Sequence, residues 1–554
     1  MPRKAKTLAS VIQESVKVEE NLTKTLPPHL IVKALAGTGK TTTLIEGLKE
    51  LKGITPKITP SVQQRAIWDS MLLSRDARSI AFVAFNSSIA DELKRRVPAG
   101  VEASTMHSLG FKAVRNAFGK HLKPYPHTIN THRVSDIICE IMGKSVWDLR
   151  RERPAFVSIL QDIVSKCKMN LVDGTQEEVA QIINHYGIEI ENSKDSAEIY
   201  SLVPLVLDRC KDVTKDGCID FNDQIWLPVV LNLPMTKYDL LLVDEAQDLN
   251  KCQQTLAKRS GHRLVFCGDA NQAIYGFAGA DSLSLTNLQS ELETETNGCV
   301  ILPLTVTRRC GKAIVERAKQ YVSEFEAHES NPEGKIEEAK YPVQRAPGAV
   351  FGSRDTIELP IDQTYIPSVK EGDMVICRNN APLVKECFRF IKAGRKATIQ
   401  GKKIGEGLVS LVKKMEVSNA EKLLIALNQW LFEETNKEQT KKNPDENKIE
   451  GFQDRVDCIY AVVDGIKNGG GLRAITVDNV LTRIETLFTD SKDIPGIKLS
   501  SVHKAKGLES NTVFFLKPNV VFQREAKKAW EGQQEDNLNY VGITRAIERL
   551  VFVY

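Results

Sequence analysis

The chain has 554 residues, 42% hydrophobic and 26% charged, with a formal net charge of +4. This length corresponds to about four domains; no apolar run approaches the ~20 residues of a membrane helix, and so small a charge excess does not diagnose a nucleic-acid partner, so any polyanion path must be local. Eleven cysteines, an odd number without a Cys-x-x-Cys pair and behind no signal-like N-terminus, predict free thiols in a reducing cytoplasm and no zinc site.

Leu30-Ile31-Val32 predicts a buried strand and Thr42 to Glu50 a helix. Between them Ala34-Leu35-Ala36-Gly37-Thr38-Gly39-Lys40-Thr41 matches the phosphate-binding P-loop, A/G-x-x-x-x-G-K-T, in the strand, loop and helix setting it requires. Gly37 and Gly39 let backbone N–H groups turn onto phosphate oxygens at a helix N-terminus. Lys40 adds charge at the β- and γ-phosphates and Thr41 supplies a hydroxyl for Mg²⁺, so Ala36, Gly37, Thr38, Gly39, Lys40, Thr41 and Thr42 form the predicted cradle for a nucleoside triphosphate.

From Leu109 to about Lys215 the periodicity is helical with few strand signals, as in Ser135-Asp136-Ile137-Ile138-Cys139-Glu140-Ile141-Met142, and predicts an insertion. Leu240-Leu241-Leu242-Val243 then predicts a buried parallel strand, with Asp244-Glu245-Ala246-Gln247-Asp248 at its C-terminal end, where doubly wound sheets place ligands. In that position Asp244 is a Mg²⁺ ligand and Glu245 the group that orients or deprotonates an attacking water. Further on, Leu408 to Trp430 and Val456 to Phe488 predict helices. The polar stretch from Glu433 to Glu450, which holds Asn443-Pro444-Asp445, predicts an exposed loop between them.

The Asp-Glu-Ala-Gln box resembles the Walker B motif of superfamily-one helicases of the UvrD/Rep type, and further blocks follow in that family's order. Ala84-Phe85-Asn86-Ser87 resembles motif Ia, Ser104-Thr105-Met106-His107-Ser108 motif Ib, and Gly268 to Phe277 motif III. Leu304 to Arg309 resembles motif IV, Ser501 to Glu509 motif V, and Tyr540-Val541-Gly542-Ile543-Thr544-Arg545-Ala546 motif VI. The resemblance implies an α/β fold of two RecA-like parallel-sheet domains, each with a mainly helical insertion. The implied boundaries are 1–107 and 216–285 for the first domain around an insertion at 108–215, and 286–400 and 495–554 for the second around a short insertion at 401–494.

The resemblance also implies roles. Arg309 and Arg545 match the arginine fingers that meet charge on the transferring phosphoryl group. Gln272 matches the γ-phosphate sensor, and Glu509 the residue that contacts the ribose. Phe85, Tyr275 and Phe277 match aromatic platforms for bases of single-stranded DNA, and Thr105, His107 and His503 its backbone contacts. Asp220-Phe221-Asn222-Asp223 resembles an acidic box near the DNA path, which a solvated turn explains nearly as well.

Four positions depart from the pattern. The glutamine motif that reads adenine is matched by Thr59 to Ile67, centred on Gln63, after the P-loop rather than before it, with a weaker match upstream at Gln13. Arg308 replaces the tyrosine that stacks on adenine, and a guanidinium plane also stacks on a ring. Ala278 stands in place of a basic residue, and Ser88 in place of a motif Ia lysine. The implied function is an ATP- and Mg²⁺-dependent, monomeric helicase moving 3′ to 5′ on single-stranded DNA and at single/double-strand junctions, in replication, repair or recombination. The alternatives are a translocase that strips proteins from DNA without unwinding it, and a DNA-binding protein with a vestigial ATPase.

Overall fold

The computed structural model describes residues 26–186, 188, 190, 193–274, 284–345, 356–393, 395–440, 446–466, 471–489, 496–517 and 529–554. Gln13, Tyr275, Phe277, Ala278 and Asn443-Pro444-Asp445 lie outside them.

The first sheet contains β1 (His29–Ala34), β2 (Ile80–Ala84), β3 (Val101–Thr105), β4 (Tyr238–Val243), β5 (Gly261–Gly268) and β6 (Cys299–Leu304), in the order β3-β2-β4-β5-β1-β6. Every pairing is parallel. Parallel sheets are covered on both faces, which is why these strands read as continuous apolar runs. Alternation along each strand decides only which core a side chain enters. Leu30, Val32, Leu240 and Leu242 pack with Leu44, Ile67 and Trp68 of the helices Lys40–Leu51 and Val62–Leu72. Ile31, Leu241, Val243 and Phe266 enter the opposite core.

That second core continues into the helices that separate β3 from β4, where Leu160, Ile163 and Val206 join it. A buried ionic cluster ties this insertion to the sheet's return path. Lys168 Nζ donates to Asp220 and Asp223 at 2.5 and 2.7 Å, and Arg133 meets Asp223 at 2.6 Å and Asp216 at 2.9 Å. With both cations almost wholly buried, these carboxylates supply the pairing that burial of charge demands.

After β6 the chain crosses to a second domain. Short pairs β7 (Val306–Thr307) with β8 (Glu326–Ala327), and β10 (Val343–Arg345) with β11 (Thr356–Glu358), flank its main sheet. That sheet holds β9 (Lys335–Ala339), β12 (Met374–Cys377), β13 (Ala397–Gln400), β14 (Phe488–Thr489), β15 (Ile497–Ser501), β16 (Ser510–Leu516) and β17 (Ala546–Val553), in the order β14-β13-β15-β12-β16-β17-β9. All its pairings are parallel as well. The helices Lys402–Lys414, Ala420–Gln439, Glu446–Ile466 and Val477–Leu487 form the insertion between β13 and β14. The fold is thus α/β, with two RecA-like domains.

Two expectations are corrected. Residues 286–304, expected to open the second domain, complete the first: β6 pairs with β1 along its whole length, and the helix Ser284–Glu293 buries Leu285, Leu288 and Leu292 in the first domain's core. The crossover therefore falls at Thr305. The stretch from Glu433 to Glu450 is not simply a loop, because one helix runs on to Gln439 and the next starts at Glu446. Its Glu, Lys and Gln residues are good helix formers, and Gln429–Glu433 and Lys437–Glu434 contacts support the extension. No described helix is long and apolar enough to cross a membrane. All eleven cysteines are free, ten of them buried.

Candidate active site

The P-loop emerges from β1 and runs into the helix Lys40–Leu51, with Gly37 and Gly39 both at positive φ (67° and 82°). At Gly37 there is a second constraint, since a Cβ would lie 2.5 Å from the Cβ of Arg309 and 2.6 Å from the Thr307 hydroxyl. The loop of the first domain is therefore in direct contact with the segment that opens the second. Gly37 O accepts from Arg308 N at 3.0 Å, and the buried Tyr540 hydroxyl accepts from Ala36 N at 3.0 Å.

Opposite the loop, the end of β4 presents two carboxylates. The Thr41 hydroxyl donates to Asp244, and Lys40 Nζ lies 3.5 Å from Glu245. Burial opposes charge on Lys40, yet Glu245, Asp269 and Asp244 outweigh it and hold the ammonium up at about 12. The carboxylates divide. Burial raises Asp244, with Glu245 adding to it, whereas burial of Glu245 is overcome by Lys40 and Lys506, which keep it ionised. Glu245 also sits in the left-handed region at φ 53°, a conformation a non-glycine residue holds only when its surroundings impose it.

Gln247 imposes part of it. Its amide donates to Glu245 at 2.5 Å, and its carbonyl oxygen accepts from Asp269 N at 3.0 Å, joining the Walker B turn to the end of β5. Asp269 in turn accepts from Gln272 Nε2 at 2.8 Å. Lys506 of the second domain then closes over both. Its ammonium meets Asp248 at 2.6 and 2.9 Å and the Gln272 carbonyl at 2.8 Å. Burial lifts Asp248 to about 6 even beside that cation.

The far lip of the cleft carries the arginines. Arg309 Nε pairs with Glu509 at 2.5 Å, and its Nη1 donates to the Thr544 carbonyl at 3.5 Å. Arg545 is 1% exposed and donates to the carbonyls of Val541 and Leu508 and to the Thr544 hydroxyl, with no carboxylate in ion-pair contact among the described residues. Burial and the neighbouring Arg309 lower it to about 10. A cleft of about 700 Å³, within the range of small-ligand sites, brings together Gly37, Gly39, Lys40, Thr41, Thr42, Glu245, Gln272, Arg309, Glu509 and Arg545.

Gln63 is not in that cleft. It starts the helix Val62–Leu72, which a capping box at Ser61 and Gln64 initiates, and which is fastened to the P-loop helix by Gln64 to Thr43 at 2.9 Å and Trp68 Nε1 to Thr43 O at 2.9 Å. Both ends of the Gln63 amide engage Thr305, the crossover residue, at 2.9 and 3.0 Å. The segment that follows the P-loop thus folds back beside motif IV, three residues before the exposed Arg308.

Of the predicted nucleic-acid residues, Phe85 is 38% exposed and lines the same cleft. Thr105 caps the helix Met106–Phe118, its hydroxyl accepting from Ser108 N at 3.2 Å. His107, pushed down to about 4 by burial, stacks on Phe221 with ring centroids 4.2 Å apart. Phe221 is 56% exposed and its acidic neighbours are paired with Lys168 and Arg133, so the box mounts an exposed ring on a buried ionic cluster rather than forming a solvated turn. His503 is lowered to about 4 by burial and by Arg378. Tyr275 and Phe277 fall outside the described residues.

Two RecA-like sheets that close a P-loop and strand-end carboxylates against arginines of the second sheet define the tandem-domain class of P-loop proteins. Within that class the chain belongs to the UvrD/Rep helicases, since the UvrD/REP helicase N-terminal domain matches residues 16–293, half of the chain. It is similar to F-box DNA helicase protein 1 of Schizosaccharomyces pombe, 23% identical over 565 residues that cover 94% of this chain and 55% of that protein. It is also similar to the ATP-dependent DNA helicase PcrA of Bacillus subtilis, 26% identical over 55% of this chain and 39% of PcrA. The ATP-dependent DNA helicase srs2 of Schizosaccharomyces pombe is 24% identical over 55% of this chain and 34% of its own length. The chain thus spans about half or less of these curated relatives.

Proposed function

We propose that the chain is an ATP-driven motor that moves 3′ to 5′ along single-stranded DNA and separates duplex ahead of it. The observation that carries this reading is the cleft itself, where Lys40, Glu245 and Gln272 of the first domain face Arg309, Glu509 and Arg545 of the second. The lining cations Lys40, Arg96, Arg309, Lys506 and Arg545 outnumber the lining carboxylates Glu92, Glu245, Asp248 and Glu509, which suits a triphosphate. Thr41 and Asp244, already in contact, are the pair that would hold Mg²⁺. Bound there, the ion would offset charge on the phosphate oxygens.

In this reading Glu245 accepts the proton of the attacking water. Lys40 and Lys506 keep it ionised and Gln247 fixes its orientation. Arg309 and Arg545 meet the charge that develops on the transferring group, and Gln272, tied to Asp269 and Lys506, reports closure to the rest of motif III. Glu509 exchanges Arg309 for the ribose. The DNA path runs over Phe85, Thr105, His107 and His503, with Tyr275 and Phe277 as further platforms and Phe221 added to them. The domain limits take the two sheets and their insertions, with the crossover at Thr305.

The test is ATP hydrolysis with and without a single-stranded oligonucleotide, beside unwinding of 3′-tailed and 5′-tailed duplexes. Stimulated hydrolysis and unwinding of the 3′-tailed duplex alone are expected. Hydrolysis that ignores DNA would overturn the motor reading, and stimulated hydrolysis without unwinding would leave a protein-stripping translocase.

A further inference from the structure

We propose that the loop Lys120–His127, with Arg115 of the preceding helix Met106–Phe118, is a second DNA surface that grips the phosphates of the duplex next to the single-strand path; this rests on the reading that the chain binds DNA. From Ala103 to Ser135 the chain has no Asp or Glu, although it holds five Lys and Arg residues. Two of those cations are neutralised within the fold, Lys112 by Glu102 at 2.8 Å and Arg133 by Asp223 and Asp216. Arg115, Lys120 and Lys123 are exposed and form no ion pair among the described residues. Two residues after Lys123, Tyr125 is 84% exposed, with the exposed His121 and His127 on either side of it in the loop. Uncompensated cations suit the phosphates of a nucleic acid, and an exposed aromatic beside them suits an exposed base at the duplex end.

The loop is also held in place. Lys123 N donates to Gly217 O at 2.7 Å, the Thr128 hydroxyl donates to Lys123 O, Ile219 N donates to Thr128 O at 2.9 Å, and Asn130 N donates to Ile219 O at 2.8 Å. Gly217 makes this approach possible, because its φ is +63° and a Cβ there would sit 2.9 Å from the His121 carbonyl. Ordering costs for the cations' backbone are thereby met before binding. The same short strip, Gly217 to Phe221, ends at the ring stacked on His107. Four residues of extended chain span at most about 13 Å, so a strand leaving Phe221 meets Lys123 within a few nucleotides.

The experiment compares the wild type with Arg115→Gln/Lys120→Gln/Lys123→Gln and with Tyr125→Ala. The probes are a short oligothymidylate and a hairpin duplex carrying that oligothymidylate as its tail. Neutralising three phosphate contacts should lower the slope of log Kd against log salt on the tailed hairpin by about 2.7, at about 0.9 per contact. Affinity for the hairpin should fall at least about tenfold, while binding of the short oligothymidylate and the ATPase it stimulates stay unchanged. Tyr125→Ala should weaken hairpin binding without altering the slope. A triple variant that matches the wild type in affinity and slope overturns the surface, as does equal loss on the short single strand. A wild type that binds neither probe refutes the DNA reading itself, a distinguishable result.

Discussion

Lys506 is the strongest tie between the two domains that the cleft reveals, and replacing it gives a sharp test of whether closure limits the chemistry. Its ammonium makes two contacts with Asp248 and one with the Gln272 carbonyl, all at 2.6–2.9 Å, and the two side chains are only 9% and 2% exposed. Solvent screening therefore gives little relief. Lys506→Met leaves a buried carboxylate and a buried carbonyl without their donor, and removing one partner of such a pair costs about 3–5 kcal/mol. Most of that loss falls on the closed arrangement, because in the open one Asp248 regains water. A penalty of about 3 kcal/mol on closing lowers kcat/KM for ATP roughly 10²-fold at saturating DNA. Asp248→Asn should show a similar defect. The double variant Lys506→Met/Asp248→Asn should be less impaired than the product of the two, because each has already forfeited the same contact. The assay is steady-state ATPase arranged as a double-mutant cycle, with thermal unfolding alongside. Multiplicative defects, with coupling under about 0.5 kcal/mol, would show that the pair does not act as a unit and would refute closure through Lys506.

Lys40→Ala should abolish nucleotide affinity, whereas Glu245→Gln should bind ATP normally and lose turnover, as equilibrium binding beside steady-state hydrolysis will read; a Glu245→Gln protein that turns over normally removes that residue from the mechanism. Arg309→Ala and Arg545→Ala should each reduce kcat by about 10³ or more with little change in ATP affinity, and Arg545→Ala should also lower the melting temperature because two buried acceptors and the part-buried Leu508 carbonyl lose their donor. Gln63→Ala should raise KM for ATP and narrow its advantage over GTP, and if Gln13→Ala does so instead, the adenine assignment moves upstream. His107 and His503 are held near 4, below the ordinary value of about 6.5. Their contribution to stability is therefore complete above about pH 6.5 and lost as pH falls toward 4. Denaturant midpoints should drop over that range, and less steeply in His107→Asn; an unchanged profile would show that His107 is not buried neutral.

What the sequence disclosed was local. The P-loop, the Asp244-Glu245 pair and motif VI are contiguous, and each lies where a strand meets a helix, so residue order alone carries their chemistry. The joints between them are not contiguous. Nothing near Lys506 in the chain marks its partner as Asp248, and nothing near Tyr540 points to the Ala36 amide, because sheet order decides those meetings. Gln247 was visible inside the Walker B box, and its burial as a polar side chain is the sign that it bridges Glu245 to Asp269. Phe221 was legible as part of an acidic box, yet its role as a mount depends on Lys168 and Arg133 absorbing the acids from below. The membership of Cys299–Leu304 in the first sheet follows from pairing with β1, which no pattern internal to six apolar residues reveals.

The helix Ala529–Ile543 holds motif III at one end and the P-loop at the other. Gln534 and Asn537 donate to the carbonyls of Ile274, Ala270 and Ala273, and Tyr540 accepts from Ala36. From Gln534 to Tyr540 is about 9 Å at 1.5 Å per residue, a little under two turns of the helix Ala529–Ile543. A helix of this length transmits push and twist without stretching, so it works as a connecting rod between two bearings. A tilt of about five degrees at the motif III bearing swings the other by about 0.8 Å, which is enough to make or break a hydrogen bond. A glycine pair at the solvent side of the rod should leave both bearings intact and still lower DNA-stimulated ATP hydrolysis relative to the basal rate.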